Sequence, residues 1–441
     1  MKTLVKNGLV ITFIHEGYHS IKMKYADVLI EDGAFLDIRE EIADSEAEVV
    51  DAQGLWVLPG LVDVGSSVAG AVLGNGLLPD YSRARWQGSM LHGRALPLLE
   101  IAAEALSDAE KRAVVRFGLE QLLRSGATTV ADLTHPAFAP ALRAEGEALG
   151  LRLDLRLDLF GLILLALRLL AFPERTANGY PVAEHSGRLL VPERAGGGFA
   201  AGDALYSVET TSPEMYAAAR ASAGPLLVRA AYCESEKQVS RMAFGLSPLG
   251  KLDREKLLTG RTVVVGGYDA DFFDRERLRT AGATVAMSAV TAMQDGVPFP
   301  IVTNLRQDVN TCLNTGYFGL SMLEEMRCAA FGGKLDSNAS QFQASDAFYA
   351  ATIAGAQGLG EPLGRIEPGF AADLLLVEPT RLGPHNYPLI ELVYRAESAD
   401  IVGRMVGGRM LSRSAQDLRK SAQAAQAAAQ KAWSLAQRRI L

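Results

Sequence analysis

Two hydrophobic periodicities divide the chain. Alternating or β-branched apolar runs at residues 9–13 and 27–30 are broken by Asn7-Gly8 and Asp32-Gly33. Such dipeptides favour tight hairpin turns, so the spacing predicts a small antiparallel sheet over residues 1–58. The same pattern returns at 372–377 and 401–411, with Pro368-Gly369 and Gly407-Gly408 as breakers. Two β-rich ends around one long middle predict a composite β-sandwich domain built from residues 1–58 and 365–412. Over 59–364 the period changes: strand-like runs at 128–133, 226–232 and 262–266 alternate with amphipathic helical stretches at 109–124, 235–244 and 274–281. That alternation implies parallel strands with crossover helices and, at this length, an α/β fold of the (β/α)8 TIM-barrel type. A doubly wound open sheet is the alternative, but no Gly-x-Gly-x-x-Gly follows a first strand. Residues 413–441 are rich in Ala, Gln, Lys and Arg, with Leu418, Ala425, Ala429, Trp433 and Leu435 spaced for one face. They read as a helix packed on the body; a basic membrane-surface helix is the other reading, and it has few large apolar residues to support it.

Composition narrows the function classes. The 441 residues are 49% hydrophobic and 22% charged, with a formal net charge of −7. A mildly acidic chain without clustered cations argues against a nucleic-acid partner. Cys233, Cys312 and Cys328 have neither the number nor the spacing of a disulfide framework or a zinc module, which fits a reducing cytoplasm. The most apolar stretch, 159–172, is interrupted by Arg168 and falls short of a bilayer span, and the N-terminus lacks the apolar region of a signal peptide. The expectation is a soluble cytoplasmic protein with a small-molecule ligand or substrate and no membrane association. Homo-oligomerisation stays open.

Several motifs follow one another in a telling order. They are Val5-Lys6-Asn7-Gly8, Ala26-Asp27-Val28-Leu29-Ile30-Glu31-Asp32-Gly33, Val50-Asp51-Ala52-Gln53-Gly54 and Leu58-Pro59-Gly60-Leu61-Val62-Asp63. Then come Ser125-Gly126-Ala127-Thr128-Thr129-Val130-Ala131-Asp132, Leu323-Glu324-Glu325-Met326-Arg327, 350–356 and Gly364-Arg365-Ile366-Glu367-Pro368-Gly369 running into Asp373. In this order the chain resembles the amidohydrolase superfamily, in the subgroup of cyclic deaminases, triazine hydrolases and S-adenosylhomocysteine-type deaminases. The resemblance implies a barrel carrying a β-sandwich from both termini, and a mononuclear metal centre. Two imidazoles of a His-x-His strand can grip one ion because alternate residues face one side. In this chain those positions fall on Gly65 and Ser67, and the strand-5 and strand-6 histidines fall on Ala231 and Gly266. The resemblance therefore implies a member without its metal and without a cofactor.

The remaining candidates are acidic or cationic. The resemblance puts the proton-shuttling carboxylate on Glu234, the strand-8 aspartate on Asp308 and a substrate-orienting position on Asp203. His135 follows a predicted strand, where barrel active-site groups sit, and joins Glu234 and Asp308 as a candidate catalytic residue. His92 and His185 belong to segments that could approach the mouth, while His15, His19 and His385 read as surface or packing residues. Arg229, two residues before Ala231, is expected inside the barrel paired with Asp308 or Glu234, because a buried guanidinium needs a carboxylate. A register slip would face it to the helix layer instead. Tyr268 joins Asp203 and Arg229 as a candidate substrate-binding residue. Cys233 is a nucleophile or a small filler, and Asp63, Asp203, Glu234, Asp269 and Asp308 could in principle form an oxygen cage for magnesium or calcium. The three readings left open are a divergent hydrolase acting on a carbon–nitrogen bond of a small molecule, a catalytically inactive paralogue, and a new lyase or isomerase.

Overall fold

The computed structural model describes residues 2–14, 20–74, 91, 95–157, 203–205, 207–209, 211, 213–336, 341–383, 386–411 and 415–439. His15, His19, His92, His185, His385 and the apolar stretch 159–172 lie outside the described residues.

Strands from both ends of the chain join one hydrogen-bonded sheet. Its order is β16(Arg409–Met410), β15(Ile401–Val406), β14(Leu374–Val377), β5(Trp56–Pro59), β1(Lys2–Phe13), β2(Ile21–Glu31), β3(Ala34–Arg39), with β4(Glu48–Asp51) also on β1. Asp32-Gly33 and Gly407-Gly408 make the expected turns, with φ of 49°, 85°, 54° and 75°. Asn7-Gly8 does not: β1 runs straight through it, and the dipeptide marks a register shift between Val5 and Gly8. Asn7 takes φ 64° and its N–H is held by Asp27 Oδ1 at 2.9 Å, so the αL residue makes a bulge instead of a hairpin.

Among the described residues eight further strands are parallel. β6(Leu61–Ser66), β7(Ala127–Thr134) and β8(Arg152–Leu157) form one ladder; β9(Asp203–Leu205), β10(Leu226–Ala230), β11(Thr262–Gly266), β12(Thr284–Met287) and β13(Thr311–Leu313) form another. Strand order follows chain order in both, so the switch point of a doubly wound sheet is absent from the described residues. β13 packs beside β6 and β8 beside β9 without a backbone ladder among the described residues. A side chain links β6 to the end of β13: Asp63 accepts from Thr315 N at 3.0 Å and Thr315 Oγ1 at 2.7 Å.

Local sequence sets the crossovers. Ser107 and Glu110 form a reciprocal capping box that starts the helix Asp108–Arg124. Pro59-Gly60 brings the terminal sheet onto the barrel, where a Cβ on Gly60 would lie 2.0 Å from Thr128 Oγ1. Buried Asp373 locks that junction by accepting Arg152 Nη2 at 2.9 Å, Arg152 Nε at 3.1 Å and Gly407 N at 2.7 Å. The helix Ala415–Arg439 buries Ala425, Ala428, Ala429, Ala432 and Ala436, and its Trp433 Nε1 donates to Leu73 O at 2.7 Å. No helix among the described residues is long and apolar enough to cross a membrane.

Candidate active site at the strand ends

The carboxyl ends of the parallel strands carry the polar residues that could do chemistry. On β6, Gly65 takes φ +100°, and a Cβ there would stand 2.6 Å from Val265 Cγ2 of β11 and 3.3 Å from Asn314 Nδ2. Gly65 and Val265 therefore face each other across the interior, with no room for an imidazole. Arg229 is the register partner of Val265 and shares its side of the sheet, which puts Arg229 inside. Gly266 has φ +116°, and a Cβ there would press to 3.0 Å on Ala230 O. Asn314, just past β13, is 1% exposed, and its Nδ2 has no hydrogen-bond partner.

Arg229 is 1% exposed and donates through Nη2 to Glu236 Oε1 at 3.0 Å. The second oxygen of Glu236 takes the N–H of Tyr232 at 2.7 Å, and the guanidinium lies over the Tyr232 ring, 5.3 Å from its centroid. Glu209, beyond β9, accepts from Ser207 Oγ at 2.6 Å. Burial, followed by the negative charge of Glu236, pushes its carboxyl up to about 7 against the opposing pull of Ser207 and Arg229. Tyr232 donates from its hydroxyl to Asp295 Oδ2 at 2.7 Å and meets Tyr268 edge-on at 5.3 Å. Tyr268 Oη donates to Ser288 O at 3.1 Å and accepts from Ser288 N at 2.9 Å. Below it, fully buried Glu325 accepts from Ser288 Oγ and Ala289 N, each at 2.7 Å. Burial raises Glu325 to about 8, and burial raises Asp63 to about 7.

The structure brings some sequence candidates to this end and sends others away. His135 directly follows β7; its Nε2 lies 3.3 Å from Glu100 Oε2, and its Nδ1 accepts from Ala137 N at 3.1 Å. The Nδ1 contact fixes the neutral tautomer with the proton on Nε2, aimed at Glu100. Glu234 is exposed in the first turn of the helix Glu234–Phe244 and accepts from Gln238 at 3.3 Å. Asp308 is exposed, with φ 54°, in the loop before β13, at the opposite end of the barrel from His135. Asp203 opens β9 opposite Leu226, also at the amino end of its strand. Tyr268 is buried and both hydrogen-bonding directions of its hydroxyl go to the Ser288 backbone, so it braces the site. The expected partner of Arg229 was Glu234 or Asp308; the partner is Glu236.

One register explains most of these differences. β10 ends at Ala230, and Ala231 turns away with φ 52°, so the last inward position of the strand is Arg229 and not Ala231. Counting the His-x-x-Glu spacing from Arg229 lands on Tyr232, and the carboxylate that pairs with Arg229 lies one helical turn further on. Glu236, Glu209, Glu100 and Asn314 were all missed. Glu236 could have been found as the acidic residue one turn inside the helix after an Arg-bearing strand. Cys233 is half-buried, its thiol pushed up to about 11 chiefly by burial, so it is no thiolate nucleophile at neutral pH.

Among the described residues a metal finds no fitting donor set. Among the described residues no three His, Cys, Asp or Glu side chains converge as ligands. Gly65 and Gly266 bring no donor, Val265 fills the space opposite Gly65, and the Asp63 carboxylate is engaged by Thr315. Of the oxygen-cage candidates only Glu234 and Asp269 are neighbours, with Asp269 also 3.5 Å from Lys237 Nζ, while Asp203 and Asp308 sit at the far end and Asp63 is held by Thr315.

A parallel barrel-like α/β body with titratable groups at its strand ends, joined to a sheet from both termini, is the architecture of a large class of small-molecule hydrolases. The amidohydrolase family profile matches residues 56–411, and the chain belongs to that family. It is 28% identical over 431 residues to a 5'-deoxyadenosine deaminase of Methanosarcina mazei, covering 92% of each chain. It is 27% identical over 430 residues to a 5-methylthioadenosine/S-adenosylhomocysteine deaminase of Natronomonas pharaonis, covering 93% of each. The fold is that of an atrazine chlorohydrolase from Arthrobacter aurescens solved with zinc, at a TM-score of 0.79 and 19% identity, covering 97% of this chain and 100% of that one. An adenosine deaminase from Xanthomonas campestris with bound zinc superposes at a TM-score of 0.78 and 19% identity, covering 97% and 98%.

Proposed function

We propose that this chain is a divergent hydrolase cleaving a carbon–nitrogen bond other than a peptide bond in a small molecule, without a transition metal. The observation that carries the reading is the pairing of His135 with Glu100 at the end of β7, in a chain whose full-length relatives include deaminases of adenine nucleosides. His135, its Nδ1 held by Ala137 N and its Nε2–H aimed at Glu100, orients the Glu100 carboxylate as the base. Water loses a proton to Glu100 as its oxygen bonds to the substrate carbon. The proton then passes to the departing nitrogen as the carbon–nitrogen bond breaks, so amine or ammonia leaves and the hydroxyl stays on carbon. Metal-free chemistry forgoes several kcal/mol of activation, which favours substrates with a good leaving group.

A second reading has its own observation. The close approach of Gly65 to Val265 and the buried Arg229 describe a refilled interior, as in a paralogue that binds but does not turn over. Purified protein, metal-analysed and offered 5'-deoxyadenosine, 5-methylthioadenosine and S-adenosylhomocysteine with ammonia release as the readout, separates them. The first reading expects turnover that resists chelators, is lost in Glu100→Gln and is reduced in His135→Ala. Binding without ammonia release from any of the three supports the second. About one tightly held zinc per chain with chelator-sensitive turnover overturns the metal-free mechanism.

A further inference from the structure

The polar cluster beyond β9 and β10 is unbalanced at one atom. Both oxygens of Glu236 are used, one by Arg229 and one by the Tyr232 N–H. Arg229 and Glu236 cancel each other's charge. Glu209 Oε2 is held by Ser207, while Glu209 Oε1 is buried and has no hydrogen-bond partner. Among the described residues, neither Tyr216 nor Lys251 supplies a donor. Tyr216, from the helix Pro213–Ala221, spends its hydroxyl on Val208 O at 2.6 Å. Lys251 lies over the Tyr216 ring at 4.9 Å and is bonded to Glu255. A buried carboxylate oxygen without a donor is costly, and that cost is removed by a proton or by an N–H of something that binds there.

We infer that Glu209 anchors the ligand of this mouth by accepting an N–H from a cationic nitrogen group, an amidine or guanidine, which replaces the carboxyl proton on binding. The inference rests on the reading of the strand ends as a small-molecule site and names the chemistry the ligand must present. Charge selects the class: an ionised Glu209 beside Glu236 outnumbers Arg229, so a cation restores neutrality and an anion adds repulsion. Because the Glu209 carboxyl is pushed up to about 7, the exchange of proton for ligand falls between pH 5.5 and 8.5.

The probe is benzamidine, with benzoate as the anionic counterpart of the same shape, each titrated by calorimetry into the full-length protein at pH 5.5 and 8.5. Benzamidine should bind at least tenfold more tightly at pH 8.5, with proton release on binding near pH 6.5, and benzoate should not compete. Glu209→Gln should weaken benzamidine at least tenfold at pH 8.5, and the exposed Glu234→Gln should leave it unchanged. Affinity that is flat with pH, absence of millimolar binding, or benzoate binding as well as benzamidine overturns the inference. The wild-type pH comparison decides it even if Glu209→Gln folds poorly. Failure of the hydrolase reading is seen separately, as absent ammonia release with benzamidine binding intact.

Discussion

Replacing Arg229 tests the charge arrangement on which the site depends. Arg229→Met keeps an apolar stem of similar length while removing the guanidinium, so lost packing is held small. In the wild type the guanidinium sits 3.0 Å from Glu236 Oε1, at 1% and 5% side-chain exposure, so water does little to screen the pair. Removing one partner of such a pair costs roughly 3 to 5 kcal/mol, because the other charge stays buried. The lost contact with the Tyr232 ring adds about 1 kcal/mol, since the guanidinium lies 5.3 Å from its centroid. The loss should also depend on pH. With the cation gone, Glu236 and Glu209 face each other and their affinity for a proton rises, so the variant's folded carboxyls titrate above their unfolded values. Stability is then retained at low pH and lost as pH rises, making the defect larger at pH 8 than at pH 5. Urea unfolding followed by fluorescence at both pH values, for wild type, Arg229→Met, Glu236→Gln and the double variant, gives the full cycle. The double variant should recover roughly 1 to 3 kcal/mol relative to additivity. An Arg229→Met protein within about 0.5 kcal/mol of wild type at both pH values would refute the buried pair.

Two further outcomes follow from the interior. Gly65→Ala sets a Cβ 2.6 Å from Val265 Cγ2 at φ +100°. It should cost roughly 2 to 4 kcal/mol in urea unfolding, and Val265→Ala in the same chain should restore the clash component but not the backbone strain; a neutral Gly65→Ala would mean that the two strands are further apart. Glu325 and Asp63, raised by burial to about 8 and about 7, bind their protons more tightly folded than unfolded. That contribution is full below about pH 4 and is lost as pH rises through 7 to 8, worth roughly 5 kcal/mol for Glu325. The melting temperature should therefore fall between pH 5.5 and 8.5, with a shallower fall in Glu325→Gln, and a rise over that range would contradict the assignment.

How far the sequence reaches depends on whether a residue is placed by a period or by a boundary. The parallel strands and their helices are set by periods: the runs at 128–133 and 262–266 lie on β7 and β11, and the run at 226–232 covers β10 and overruns its end by two residues, because a short apolar, β-branched run between helical stretches marks a strand buried on both faces. Asp32-Gly33 is legible for a similar reason, since the turn needs two positive φ angles in a row. Asn7-Gly8 has the same chemistry and makes a bulge, because β1 continues past it to pair with β5, a tertiary choice that two residues cannot announce. The site belongs to the second kind. Whether strand β10 ends at Ala230 or two residues later decides if the inward group is Arg229 or Ala231, and every carboxylate assigned downstream moves with it. Glu234 and Glu236 are chemically identical and both open the same helix, yet one is in solvent and the other is 5% exposed against Arg229. The difference is two residues on a helix, about 200° of rotation. A motif counted along the chain cannot resolve that rotation; a charge that must be neutralised can. The buried cation on β10 required a carboxylate within reach, and the helix that follows the strand supplies it one turn in. Electrostatic necessity therefore located the partner more narrowly than motif spacing did, and the same reasoning singles out Glu209, whose Oε1 is buried and accepts no hydrogen bond among the described residues.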